Sequence, residues 1–279
     1  MCISSIPMPI AQQERIEMKG EKTLKQRYKA VKDRIAAAAK RCGRSPDGIL
    51  LSVVTKFASI DQIRELIELG HVDFCENRVQ NLIQRAAQIE EFLARHRQHT
   101  SARKVNIPDQ VRWHMIGGLQ RNKVRKVINI VRLIHSVDSL RLAEEIQLAA
   151  AKRDEPIEVL LQVNTSGEKT KSGVAPAAAM HLLEQIDTMM SLCPRGLMCM
   201  APLEEDPQNA GPVFERCHEL FDEIKKSGCA GEHFDILSMG MSNDFEVAIE
   251  HGSNLVRVGT AIFGAPDPSQ QEESDTADS

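Results

Sequence analysis

Lys56 stands one residue from the end of "ILLSVVTKF" (49–57), a stretch otherwise dominated by apolar and β-branched residues. An amine at the C-terminal mouth of a buried strand has two uses. Its stem can snorkel along apolar surface and mark where the strand reaches water. Alternatively, held on a rigid element and partly desolvated by its flanks, it keeps its lone pair for an aldehyde and forms a Schiff base. A second constellation lies late in the chain. "RVGTAIFG" (257–264) puts Gly259 and Thr260 directly after an apolar run, where backbone N–H groups and a hydroxyl can receive a phosphate. "LSMGMSNDF" (237–245) gives a polar turn with Ser238, Met239, Gly240 and Ser242. Its Ser242 or Asn243 could equally cap the helix that follows. Arg257 is a charge inside the last apolar run, and if it points inward it needs an acceptor.

These residues need elements to carry them. "EKTLKQRYKAVKDRIAAAAKRCGRSP" repeats Leu24, Tyr28, Val31, Ile35 and Ala38 at helical spacing, and Gly43 with Pro46 ends it. Short apolar runs follow at 49–56, 72–76, 111–116, 131–136, 157–163, 195–200, 234–239 and 255–259. Amphipathic patterns lie between them at 60–69, 78–95, 120–129, 139–152, 175–190, 209–227 and 243–251. Alternating strand and helix signals mean a parallel sheet, and eight such units fit a single (β/α)8 TIM barrel preceded by one extra helix. The insertion at 95–110 reads as a solvated loop. In such a barrel function gathers at the C-terminal strand ends. That rule selects Lys56, Glu76, Asn77, His114, Ser136, Asp138, Asn164, Ser238, Gly259 and Thr260.

Composition excludes other classes. A formal net charge of −4 argues against a nucleic-acid partner, and no apolar run reaches the roughly 18 residues that a membrane span needs. Seven cysteines, odd in number and without a C-x-x-C pair, suggest neither zinc nor a disulfide framework and point to a reducing cytoplasm. The nine histidines lack metal-ligand spacing, so no metal is expected. "NTSGEKTKSG" (164–173) lacks the order of a P-loop, and "RNKVRKV" (121–127) reads as a solvated basic face. Residues 1–20 are expected to be a disordered arm, 21–265 the barrel, and 266–279 a disordered acidic tail.

The motifs "VVTKF", "DFCENRVQN", "RWHMIGGLQRNKV", "IHSVDS", "LLQVNTSGEKTKSG", "RGLMCMAP", "FDILSMGMSNDFEVAIEHG" and "VRVGTAIFG" occur in this order from about residue 30 to 264. Together they resemble the YggS/PROSC-type pyridoxal-phosphate homeostasis proteins. The resemblance implies an α/β barrel like the alanine racemase N-terminal domain, which binds pyridoxal 5′-phosphate (PLP) without an established catalytic activity. It implies that Lys56 holds the cofactor as a Schiff base and that Asn77 lies beside it. Ser238, Gly259 and Thr260, with backbone help near Met239 and Ser242, would hold the phosphate, and Arg257 would face the pyridine nitrogen. Two positions depart from the family: Ala58 stands where a second lysine is common, and Cys75 where a glycine is usual.

Storage is favoured over turnover. A racemase needs a base on each face of the cofactor, and the one tyrosine, Tyr28, falls in the first helix. An arginine cannot accept a proton, so it leaves the ring nitrogen unprotonated and the ring a weak electron sink. The implied partners are PLP and apo forms of PLP-dependent enzymes, and a monomer is expected. The alternatives are a racemase-like or lyase enzyme with His114 or Cys75 as second base, and a barrel in which Lys56 merely pairs with some other phosphorylated ligand.

Overall fold

Thr23 and Gln26 cap each other at the start of helix α1 (Leu24–Arg41), each side chain accepting from the other residue's backbone N–H. The helix buries Leu24, Tyr28, Val31, Ile35 and Ala38, the stripe its spacing predicts, and Lys40 and Arg41 fall in its last turn, where cations suit the helix dipole. Gly43, at φ +67°, then turns the chain.

The computed structural model describes residues 22–98, 107–168 and 172–265. The expected arm (1–20) and tail (266–279) lie outside the described residues. The strands are β1 Leu50–Val54, β2 Asp73–Glu76, β3 Arg112–Met115, β4 Val131–Val137, β5 Ile157–Gln162, β6 Leu192–Met198, β7 Ile236–Ser238 and β8 Leu255–Val258. They pair in chain order, all parallel, and β8 returns to β1 to close the barrel. The intervening helices are α2 Ile60–Glu68, α3 Val79–Gln98, the one-turn α4 Val124–Val127, α5 Leu140–Ala150, α6 Pro176–Asp187, α7 Gly211–Ser227 and α8 Phe245–Glu250.

Among the described residues, the single-turn α9 (Thr260–Phe263) is the one helix after β8. The flank it leaves is covered by α1, which packs on α8 and α9. Arg27 Nε donates to Ile262 O at 2.6 Å, and Arg44 Nη1 donates to Ile249 O and Ser253 O at 3.0 and 2.8 Å. The extra N-terminal helix thus takes the place of the barrel's eighth helix.

Most elements are a few residues shorter than expected, and three differences of boundary change where residues lie. β1 ends at Val54, so Lys56 lies beyond the strand in the turn Thr55–Ala58, closed by Ala58 N–H to Thr55 O at 2.9 Å. β6 starts at Leu192, because Pro194 and Gly196 sit inside a paired strand with a register shift opposite them. α3 runs to Gln98, so residues 95–98 of the expected loop are helical; 99–106 lie outside the described residues.

The space inside the barrel has two storeys. Leu133, Leu160, Met198 and Leu255, with Leu50 and Ile236 against them, form an apolar cluster separate from the main core between sheet and helices. Two residues further along their strands, hence on the same inward face, come Ser52, His135, Gln162, Ser238 and Arg257, all buried. Nearest the mouth, then, the barrel is packed with polar groups. Among the described residues no helix is long and apolar enough to cross a membrane, and no three metal-ligating side chains gather.

Candidate functional site

A cavity of about 380 Å³ opens at the C-terminal mouth. Six of the expected residues line it: Lys56, Asn77, Ser242, Arg257, Gly259 and Thr260. Lys56 projects from the Thr55–Ala58 turn with its side chain exposed, and Nζ lies 4.6 Å from the centre of the Phe57 ring. Apolar strand neighbours therefore do not bury this amine, contrary to the expectation from "ILLSVVTKF"; the residues that follow the strand present it to the cavity. Asn77 follows β2 directly. Its Oδ1 is buried and has no hydrogen-bond partner among the described residues. Gly117 permits this placement, since a Cβ there would stand 2.0 Å from Asn77 O.

The far wall is the β7–α8 loop against the end of β8. Ser242 does not cap α8, whose first residue is Phe245. Its Oγ instead accepts from Gly259 N and Ala261 N, at 3.2 and 3.3 Å. Two amides and a hydroxyl thus meet at one point of the wall. Gly240 carries the chain through φ +89°, and a Cβ there would press on Ala248 Cβ at 2.6 Å and Phe245 Cα at 2.7 Å. Gly259 packs so closely on β1 that a Cβ would meet Val54 O at 2.9 Å.

Arg257 bridges the cavity and the barrel interior. Its Nη1 donates to Ser238 Oγ at 2.5 Å and its Nη2 to Cys199 O at 2.9 Å, which supplies the acceptors its burial demands. Burial pushes Arg257 down from its ordinary value, with Cys199 and Cys75 opposing; a guanidinium remains charged all the same. Below it a chain of contacts crosses the barrel. Ser238 Oγ meets His135 Nδ1 at 3.1 Å, His135 Nε2 meets His114 Nδ1 at 3.1 Å, and His114 Nε2 faces Asp73 Oδ1 at 3.3 Å, off good hydrogen-bond alignment. Arg112 closes the far end with Nε and Nη2 on the Asp73 carboxylate, both at 2.6 Å.

Charges along this chain are ordered. Burial, then His114 and Arg257, push His135 well below its ordinary value, so it is neutral. Burial would raise Asp73, but the two hydrogen bonds from Arg112 and the nearby His114 outweigh it and hold the carboxyl well below the usual range. Arg257 donates to Ser238, and neutral His135 has one donor and one acceptor nitrogen, which its contacts with Ser238 Oγ and His114 Nδ1 use together.

Ser238 and Met239, expected among the phosphate contacts, do not line the cavity. Ser238 is fully buried beneath Arg257, and Met239 N–H is spent on Leu255 O and Ser253 Oγ, at 3.1 and 3.3 Å. Asp138 sits in a separate surface cleft with Arg121 and Arg141. Asn164 folds onto its own loop, donating to Glu168 O at 2.8 Å. Neither candidate second base reaches the cavity. His114 is inside the barrel, and burial pushes the Cys75 thiol up to about 12, beside Ser52 Oγ at 2.7 Å. Tyr28 is remote, its OH 3.2 Å from His71 Nδ1.

Sequence reasoning overlooked the roof. The segment after β6 brings Met200, Pro202, Leu203 and Glu204 over the cavity. It also overlooked His135 and Asp73. The signal for the roof was present, since "MCMAP" ends a strand at the same mouth as Lys56.

The model of the alanine racemase N-terminal domain matches residues 27–267 of the chain. The pyridoxal phosphate homeostasis protein of Aquifex aeolicus is 37% identical over 240 residues, which are 86% of this chain and 96% of that protein. A solved protein of unknown function from Bifidobacterium adolescentis superposes with a TM-score of 0.76 at 36% identity, covering 86% of this chain and 94% of that one. PipY of Synechococcus elongatus, solved with PLP bound, has a TM-score of 0.65 at 31% identity, covering 82% and 100%.

Proposed function

The chain belongs to the pyridoxal phosphate homeostasis family, built on the alanine racemase N-terminal domain, and from that membership we propose that it holds PLP reversibly, as a Schiff base on Lys56, for transfer to apo forms of PLP-dependent enzymes. The observation that carries the reading is the shared cavity: Lys56, Arg257, Ser242, Gly259 and Thr260 line one space. A volume of about 380 Å³ lies within the range of small-molecule sites. The orphaned Asn77 Oδ1 and the close-packed Gly259 also fit a group of this kind.

PLP supplies an aldehyde for an amine, an aromatic electron sink and a dianionic phosphate. Lys56 is the amine. Ser242 Oγ already accepts from the Gly259 and Ala261 amides, so its own O–H is the donor left for an anion. Arg257 has donors left beyond those used on Ser238 and Cys199, but no acceptor, so it leaves a ring nitrogen unprotonated. Neither His114 nor Cys75 can act as a second base from its buried position. Together these features favour keeping a ligand over turning one over.

The test uses absorbance and covalent capture. Protein incubated with PLP, reduced with borohydride and digested should carry the adduct on Lys56, and Lys56→Ala should carry none. Amino acids added to the loaded protein should be neither racemised nor consumed at an enzyme-like rate of about 1 s⁻¹ or faster. A protein that captures no PLP would overturn the reading.

A further inference from the structure

Beneath the Lys56 turn, outside the barrel lumen, lies an ion pair with no assigned role. Glu76 is fully buried at the end of β2, and Arg85, on α3, is only 16% exposed. Arg85 Nη1 pairs with Glu76 Oε1. The same carboxylate oxygen accepts from Thr55 Oγ1 at 2.5 Å, while Arg85 Nη2 donates to Ala58 O at 2.9 Å. Thr55 and Ala58 are the two ends of the turn that carries Lys56, and Thr55 is anchored again by its N–H and hydroxyl on Cys75 O, at 3.0 and 3.1 Å.

We propose that Glu76 and Arg85 form a clamp that positions Lys56: one buried pair grips both ends of the lysine's turn and fixes the direction in which its stem leaves. The proposal rests on the reading of Lys56 as the amine that binds PLP. Three features argue that the pair is more than structural. First, the Lys56 side chain is exposed, so its own packing cannot fix the stem and the backbone turn must. Second, Glu76 immediately precedes Asn77 in the chain, so the carboxylate under the lysine's turn and the cavity's Asn77 sit on one stretch of backbone. Third, Glu76 Oε2 is buried with no hydrogen-bond partner among the described residues, an arrangement that stability alone would not favour.

Burial raises the Glu76 carboxyl, with Arg85 and Thr55 opposing. Arg85 is therefore what keeps a charged acceptor under the turn. In the bond-forming step Lys56 Nζ gives its lone pair to the aldehyde carbon, and its two hydrogens leave with the aldehyde oxygen as water. Lone-pair direction governs that step, and displacement of a reacting group by about 1 Å can cost up to a hundredfold in rate.

The experiment separates covalent capture from occupancy of the cavity. Full-length wild type, Glu76→Gln and Arg85→Gln are mixed with PLP, and capture on Lys56 is followed by borohydride quench and mass spectrometry. Affinity is measured in parallel for 4′-deoxypyridoxine 5′-phosphate, which has a methyl group in place of the aldehyde. The clamp predicts capture slowed about tenfold or more in both variants, with analogue affinity within about twofold of wild type. Arg85→Gln is the safer variant because its side chain reaches the surface, and near-ultraviolet circular dichroism verifies folding. Wild-type capture rates in both variants would overturn the clamp. Parallel loss of capture and analogue affinity would overturn it too, since that marks a general structural role. A wild type that takes up the analogue but shows no adduct on Lys56 would instead refute the covalent reading, and the clamp with it.

Discussion

Ser238→Ala removes a single oxygen, yet it should behave as a severe core substitution. Ser238 is fully buried, and its hydroxyl serves Arg257 Nη1 at 2.5 Å and His135 Nδ1 at 3.1 Å. Without it, a buried guanidinium and a buried neutral imidazole each lose a partner. Each orphaned group costs about 1–3 kcal/mol, so the two together should cost about 2–6 kcal/mol, with little added for the void left by one oxygen. Arg257 keeps Cys199 O at 2.9 Å, which argues against the upper end. Urea unfolding at pH 7.5 measures the change. The companion is Ser242→Ala, whose hydroxyl sits half-buried at the mouth on two backbone amides. It should cost less than about 1 kcal/mol in stability while weakening binding of the 4′-deoxypyridoxine phosphate probe. If Ser238→Ala loses under 1 kcal/mol, or if the two serines behave alike, the buried chain does not hold Arg257.

Other outcomes follow from close contacts and titration. Gly117→Ala would put a methyl carbon 2.0 Å from Asn77 O; backbone cannot yield as a side-chain tip can, so PLP uptake should fall with stability, and unchanged uptake would show that the Asn77 turn is not fixed there. Gly259→Ala, with its contact to Val54 O at 2.9 Å, should impair uptake more than it lowers the unfolding midpoint; an equal effect on both would count against an anion-receiving role. Burial lowers His71 to about 4, so the folded chain binds fewer protons than the unfolded one between that value and about 6.5. His71 stabilisation is thus complete above that window and drains away as pH falls through it. Folding should therefore weaken by about 2 kcal/mol from pH 7.5 to 5 through His71 alone, with His135 acting in the same direction. Chemical denaturation at the two pH values gives the slope, and a flat profile would sink the argument.

The barrel was legible because eight apolar runs alternating with helical patterns admit few other closures. Lys56, Asn77, Gly259 and Thr260 could be picked out by one rule, that function gathers at C-terminal strand ends, and Arg257 by its charge inside the last apolar run. The rule failed where a polar residue near a strand end served another purpose. Glu76 points away from the lumen to Arg85, and Asn164 serves its own loop. His135 was invisible for a different reason. In "VRLIHSV" it reads as one polar residue breaking an apolar run, and only the inward phase shared with Leu133 shows that it stands inside the barrel. Neither the Glu76–Arg85 clamp nor the Asp73–Arg257 chain has any local signature, because each joins residues from separate strands and helices.

Arg257 joins the two halves of the molecule, and that limits how it can be probed. Its guanidinium lines the cavity and also heads a chain whose members are all buried. Arg257→Ala would take the donor from Ser238 Oγ and Cys199 O and leave a void in the interior along with the lost cavity contact, so weak PLP binding by that variant would not distinguish a lost ligand contact from a collapsed interior. Arg257→Lys is no cleaner, because one ammonium cannot reproduce a fork that spans Ser238 Oγ and Cys199 O. The separable perturbation enters from the far end. Arg112 is half-exposed and lies at the opposite end of the chain from the ligand. Arg112→Gln leaves every cavity residue in place but takes the bidentate partner from Asp73, the carboxylate at the far end of the chain. If the chain fixes Arg257, the spectrum of bound PLP should shift in this remote variant while capture at Lys56 persists. An unchanged spectrum would mean that Ser238 and Cys199 alone set the guanidinium, with the histidines only filling space below.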